Sequence, residues 1–139
     1  MTNETYTIEY VDQPEWEIIG QGISAYNTQQ AGDDQGQSLC FVLKSTNQEI
    51  VGGLIGATYW NWLYVDLMWL REEFRGQGYG HQLLTLAEAE ARQRGAKHAY
   101  LDTFSFQAPE FYKQHGYEVF GELQDFPPGH QRYFLTKEL

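Results

Sequence analysis

Phe74-Arg75-Gly76-Gln77-Gly78-Tyr79-Gly80 decides how this chain of 139 residues is read. Three glycines alternate within five residues. The apolar run Leu63-Tyr64-Val65-Asp66-Leu67-Met68-Trp69-Leu70 comes before them, and a helix-patterned run, His81 to Arg94, comes after. A strand ends, the backbone turns tightly, and a helix begins. Glycine lets the backbone turn and approach a ligand with no Cβ in the way. A helix N-terminus adds unpaired N–H groups and a partial positive charge. The stretch therefore predicts a site for phosphate or pyrophosphate.

The two commonest glycine-rich motifs do not fit it. A dinucleotide fingerprint needs a sixth-position glycine, but counting from Gly76 gives His81 and from Gly78 gives Leu83. A Walker loop needs Lys after its last glycine, and none follows here. What remains is Arg75-x-x-Gly78-x-Gly80, the pattern Gln/Arg-x-x-Gly-x-Gly/Ala. In this the chain resembles the GNAT superfamily of N-acetyltransferases. About 30 residues downstream, Ala108-x-x-x-Tyr112-x-x-x-Gly116-Tyr117 is similar to the second signature of that family, with Tyr117 where Phe is usual. The resemblance covers roughly Leu54 to Leu139, and the first 50 residues fit it more loosely.

Length and composition set bounds consistent with this. The chain is long enough for one domain with a real core, and 42% apolar with 16% aromatic residues excludes a disordered chain. No apolar run reaches the ~18 residues that cross a bilayer. The N-terminus lacks the basic and apolar regions of a signal peptide, so a cytoplasmic location is expected. Nine basic against nineteen acidic residues, a net charge of −10, argue against nucleic-acid binding. The same negative field could steer a cationic amine. His81, His98, His115 and His130 show no metal-ligand spacing, and the single Cys40 cannot build a zinc site or an internal disulfide. No metal is expected. Cys40, in an apolar strand, reads as core filler.

Periodicity predicts the order β-α-β-β-β-α-β-α-β-β. Thr5 to Val11 alternates Tyr6, Ile8 and Tyr10 with polar residues, a half-buried strand. Asp12 and Pro14 read as the start of a helix carrying Trp16, Ile19, Ile23 and Tyr26 on one face. Gln29 to Gln37 is a polar loop. Leu39 to Lys44 and Ile50 to Tyr59 form a hairpin, with Gly52, Gly53 and Gly56 pointing to bulges or close backbone approach. Leu63 to Leu70 leads into the glycine stretch. The long helix buries Leu83, Leu84, Ala87 and Ala91 and stops at Gly95. His98 to Thr103, Tyr117 to Gly121 and Arg132 to Thr136 are strands, and Pro109 to about His115 a helix. With no repeat, linker or boundary, residues 1–139 read as one α+β domain.

The resemblance implies a mixed, mostly antiparallel twisted sheet flanked by helices, with two central strands splayed into an acetyl-CoA cleft. The second N-terminal helix usual in the family is missing or shortened at Gln29 to Gln37. The backbone of Arg75, Gly76, Gln77, Gly78, Tyr79 and Gly80 would hold the pyrophosphate. Main-chain groups of Met68, Trp69 and Leu70 would pair with pantetheine, with the oxyanion-binding N–H near Met68. Ser105 stands where the family often has a cofactor-contacting Asn; a plain helix-entry Ser is the alternative. Tyr112 takes the place of the leaving-group acid, since a phenol is protonated at pH 7; an aromatic core residue beside Phe111 is the alternative. Asp66, the only carboxylate within the strand before the glycines, is the candidate base, placed by a two-residue period on the face of Tyr64, Met68 and Leu70; a structural hydrogen-bonding residue is the alternative. Asp102 and His130 are lesser candidates, and His81 reads as solvated.

The implied activity is transfer of an acetyl group from acetyl-CoA to a primary amine of a small molecule, a peptide N-terminus or a lysine, by direct attack. A non-catalytic acyl-CoA-binding module and a transferase using another acyl-CoA stay open. No membrane partner is expected, and the resemblance leaves a monomer or a homodimer open, with the homodimer preferred.

Overall fold

Trp16, Ile19, Ile23 and Tyr26 all fall in helix α1 (Trp16–Ala31), at the spacing that aligns them on one side. The computed structural model describes residues 4–139. The chain divides into two compact units, Met1–Asp34 and Gln35–Leu139, and α1 belongs to the first. Three expectations for this unit are corrected. Thr5 to Val11 forms no strand: alternation supplies a two-sided ribbon, but a strand exists only where a neighbour takes its hydrogen bonds, and the sheet of this protein begins further along the chain. Asp12 does not cap α1. The helix starts after Glu15, whose side chain makes no capping bond. The helix also runs past Gln29, because Gln and Ala propagate it readily, and ends at Gly32, with φ of 80°.

The second unit is built on a sheet of six strands: β1 (Gln37–Lys44), β2 (Ile50–Tyr59), β3 (Trp62–Leu70), β4 (His98–Phe104), β5 (Glu118–Gln124) and β6 (Gln131–Glu138). Their order is β1-β2-β3-β4-β6-β5. Every neighbouring pair is antiparallel except β3 with β4. A two-residue turn with positive φ at both Trp60 and Asn61 closes β2 onto β3, the type I′ geometry that matches strand twist. Helix α2 (Tyr79–Gln93) crosses from β3 to β4, and α3 (Pro109–Gln114) lies between β4 and β5.

Helix α2 lies against β1, β2 and β3. It buries Leu83, Leu84, Ala87 and Ala91 with Leu54, Leu63, Val65, Leu101 and Leu135, and each buried leucine stabilises the fold by about 2 kcal/mol. The helix ends in a Schellman motif at Gly95, with Ala96 N–H bonded to Ala91 O and Gly95 N–H to Arg92 O. Cys40 is not in this core. Leu39 is buried and Cys40 exposed, because the two-residue period of β1 sends alternate side chains outward.

The feature that positions the site is a bulge. Ile55 pairs with Leu67 and Gly56 with Val65, so Asp66 has no partner on β2. An extra residue bends a strand, sharpens its twist and shifts its alternation by one. Leu63 and Val65 are buried before the bulge, while Met68 and Leu70 pack on the core after it. Asp66 therefore does not share their face, as a simple two-residue period predicts; it sits at the phase change. Pairing of β3 with β4 stops at the same place. Trp62 to Val65 pair with His98 to Leu101, and no pairs follow. Beyond that point β3 stays on β2 as far as Leu70, and β4 stays on β6 as far as Phe104. The two central strands thus part after Val65 and Leu101.

Candidate active site

The edge of β3 that faces this gap is unpaired. Arg71 N–H donates to Val51 O on β2. Main-chain groups alternate sides along a strand, so those of Leu67 and Trp69 point to β2 and those of Met68 and Leu70 point into the gap. Leu70 O accepts from Arg75 Nε at 2.9 Å, which bears out the assignment at its outer end. Met68 N–H and C=O are left facing the space between the strands.

At the end of β3 the chain makes a short 3₁₀ turn (Glu72–Phe74) and enters the glycine stretch. Gly76 and Gly78 have φ of 71° and 89°. Gly78 is the N-cap of α2, which begins at Tyr79, so the N–H groups of the first turn lack intrahelical partners. Gly80 serves close approach: a Cβ there would lie 3.1 Å from two atoms of the Phe111 ring. Phe111 also meets the His81 ring at 4.4 Å. A cleft of about 520 Å³ results, lined by Met68, Trp69, Leu70, Arg75, Gly78 and Gly80 among others. Gln77 is not part of its wall; its amide donates to Glu73 O at 2.7 Å.

A second cleft of about 450 Å³ continues along the gap. It shares Met68, Trp69, Leu70 and Arg75 with the first and adds Asp66, Asp102, Phe106 and Tyr112. Tyr112 is held by the turn that ends α3. Tyr117 N–H bonds to Tyr112 O and Gly116 N–H to Lys113 O, a second Schellman motif with Gly116 at φ of 96°. The usual apolar contact of that motif is here between the Tyr112 and Tyr117 rings, 6.1 Å apart and edge to face. The signature Tyr-x-x-x-Gly-Tyr is therefore a helix stop that fixes the first tyrosine in the wall of the cleft.

Tyr112 is buried, and its hydroxyl makes no hydrogen bond to the described residues. Burial first, and then the Asp102 carboxylate, push its pKa up to about 12. Tyr64 moves in the same direction through burial, Asp102 and Asp66. The two carboxylates of the cleft differ. Asp102 Oδ1 accepts from Arg132 Nη2 at 2.7 Å and Nε at 2.9 Å, and the guanidinium lies over Phe104, Phe126 and Phe134. Asp66 is exposed and bonded to no other described side chain. Ser105 does not reach either cleft: its Oγ accepts from Gln131 N–H at 3.0 Å and its N–H donates to Gln131 O at 2.8 Å. His130 lies behind Phe106, ring centroids 5.0 Å apart.

The family model for the GNAT acetyltransferases matches residues 2–117. The chain belongs to this GNAT acetyltransferase family. Its second signature departs from the family's in Tyr117 for Phe, and the added hydroxyl has a use: it donates to the buried Glu88 Oε2 at 2.9 Å. The chain is 44% identical over 92 residues to the blasticidin-S acetyltransferase of Streptomyces morookaense, spanning 66% of this chain and 68% of that protein. It is 36% identical over 113 residues to the acetyltransferase Atu2258 of Agrobacterium fabrum, spanning 81% and 82%. A crystal structure of an acetyltransferase from Bacillus cereus superposes with a TM-score of 0.89 at 37% identity, over 96% of this chain and 98% of that one. The protein is thus an N-acetyltransferase with the α+β sheet of its GNAT relatives.

Two groups near the clefts escape a reading of the sequence. Glu88, 3% exposed, lies on the apolar face of α2. Its position one turn beyond Leu84 was a usable sign. His81 is not merely solvated, for its Nδ1 lies 2.9 Å from Nδ1 of His115. Nothing in the spacing of these histidines announces that contact. Among the described residues no three His, Cys, Asp or Glu side chains gather as a metal site, and no helix is long and apolar enough to cross a membrane.

Proposed function

We propose that this acetyltransferase uses acetyl-CoA and passes the acetyl group to the primary amine of a small cationic molecule by direct attack in the gap between β3 and β4. The observation that carries the reading is the gap itself. It has unpaired β3 main chain on one side, a glycine-capped helix N-terminus at one end, and Tyr112 with Asp66 at the other. These residues fit the donor. An extended amide chain finds the free main chain of Met68, and a pyrophosphate finds the N–H groups of Tyr79, Gly80 and His81. A small cationic acceptor agrees with the net charge of −10 and with the unpaired Asp66. The relative that acts on blasticidin S, named for a small molecule, supports it over a protein lysine.

Each residue then has one task. Asp66 takes the proton that the amine sheds, directly or through water, and leaves the nitrogen lone pair free to attack the thioester carbon. Met68 N–H donates to the carbonyl oxygen as negative charge develops there. The tetrahedral centre loses the second amine proton to water and collapses, the C–S bond breaks, and Tyr112 donates a hydrogen bond to the departing sulfur. With its pKa pushed up to about 12, Tyr112 binds its proton more tightly than a thiolate does, whose acid has a pKa near 8.5. Full proton transfer is therefore uphill, and water supplies the proton that stays on sulfur. Asp102, already bonded to Arg132, shapes the wall and raises the Tyr112 pKa.

Release of free thiol from acetyl-CoA tests this reading. We expect release that depends on a small cationic amine, with the acetylated amine found by mass. Release with none of a panel of such amines, but with a peptide N-terminus or a lysine peptide, would replace the proposed acceptor.

A further inference from the structure

Behind the first cleft lies a chain of polar groups that the transfer step does not use. Glu88 is buried at 3% exposure. Its Oε1 accepts from Lys137 Nζ at 2.8 Å and its Oε2 from the Tyr117 hydroxyl at 2.9 Å. Nε2 of His115 lies 3.6 Å from Oε1, and the His115 carbonyl accepts from Lys137 Nζ at 2.8 Å. The other ring nitrogen of His115 meets Nδ1 of His81 at 2.9 Å. His81 sits in the first turn of α2 and lines the cleft beside Gly80.

The order of protons along this chain follows from Glu88. A carboxylate 3.6 Å from Nε2 favours the His115 tautomer that carries its proton there. Burial is the largest influence on His115 and favours its neutral form; Lys137 and His81 add to it, while Glu88 opposes. A neutral His115 with its proton on Nε2 offers a lone pair at Nδ1. Two nitrogens at 2.9 Å need one proton between them, so His81 must donate from its own Nδ1. The remaining nitrogen of His81, Nε2, is then a bare lone pair when the ring is neutral and a donor only when it is charged. An anion beside it favours the charged form.

We infer that His115, held by Glu88, is a positioning residue that fixes the tautomer of His81, so that the cleft takes up a proton together with the pyrophosphate of its acyl-CoA. This rests on the acyl-CoA reading above. The ionisable groups around the histidine pair are Arg75 and Tyr79 in the cleft, Glu88 and Arg92 on α2, Tyr117, and Lys137 on β6. Of all these ordinary side chains only histidine changes charge between pH 6 and 8.

Calorimetry with 3′-dephospho-CoA tests the inference, since this probe keeps the pyrophosphate but lacks the phosphomonoester that itself titrates near pH 6. Binding is measured at pH 7.5 in two buffers of different ionisation enthalpy. We expect the wild type to take up a fraction of a proton on binding, and its Kd to rise as the pH rises, as linkage requires. His81→Gln carries a permanent donor near the place of Nε2, so it should bind with no proton uptake and a flat pH profile. His115→Asn should reduce the uptake while leaving the probe bound. Equal uptake in wild type and His81→Gln, or none in the wild type, would overturn the inference and leave the acyl-CoA site standing. No binding of the probe to the wild type would overturn both.

Discussion

Tyr112→Phe lowers kcat by about 10²-fold while the dissociation constant of acetyl-CoA stays within about twofold, because a hydroxyl that meets only the leaving sulfur contributes little until the C–S bond breaks. The ring is part of the core and stacks edge to face on Tyr117, and Phe keeps both contacts. The same substitution has a second readout. Tyr112 is raised from about 10 to about 12, so between those values the folded chain holds a proton that the unfolded chain has lost. That contribution to stability is complete below pH 10 and is lost as pH rises through 12. Wild type should therefore lose stability faster than Tyr112→Phe over this range in denaturant titrations. Equal kcat values for the two proteins would remove Tyr112 from the chemistry, and parallel alkaline profiles would remove the cause assigned to its burial.

Glu88→Gln should cost about 3 kcal/mol of stability, or roughly 10 °C in Tm. Glu88 is the shared partner of Lys137, Tyr117 and His115, and Lys137 is itself mostly buried, with its side chain 19% exposed. An amide cannot balance that ammonium, and one buried cation is left without its anion. Removing both charges, as in Glu88→Gln/Lys137→Met, should recover at least half of the loss, since the double variant leaves no uncompensated buried charge and Arg92, 4.0 Å from Glu88, is 49% exposed. Thermal and urea unfolding of the three proteins check this. A loss below about 1 kcal/mol in the single variant would mean that the cluster behaves as a surface ion pair.

What the sequence tells about this molecule follows the range of its signals. Local chemistry is legible. The glycines at 76, 78 and 80, the stop at Gly95, and the helical stripe of α2 each rest on rules that act within a turn or two, and the structure has them in place. The parting of β3 from β4 was legible only through family resemblance. Its physical cause, the unpaired Asp66, depends on the register with β2, which no run of residues within β3 states. The same bulge moved Asp66 off the face that alternation assigns to it. Thr5 to Val11 failed as a strand for a related reason, since alternation describes a ribbon and says nothing of a neighbour to pair with. Ser105 is a sound hydrogen-bonding residue whose side chain found a nearer partner, Gln131. The link from Glu88 through His115 to His81 joins positions 88, 115 and 81 across the end of α3, beyond the reach of any local pattern.

An acetyl-CoA site in the gap between β3 and β4, closed at its outer end by the glycine turn, has a direct consequence for calorimetric titration of acetyl-CoA into the wild type and into Gly80→Val. A valine there brings its Cβ to 3.1 Å from the Phe111 ring and fills the mouth of the first cleft. One acetyl-CoA per wild-type chain, with binding weakened at least tenfold in a folded Gly80→Val, is the predicted result. Equal affinity in the two proteins, or no binding by the wild type, would contradict it.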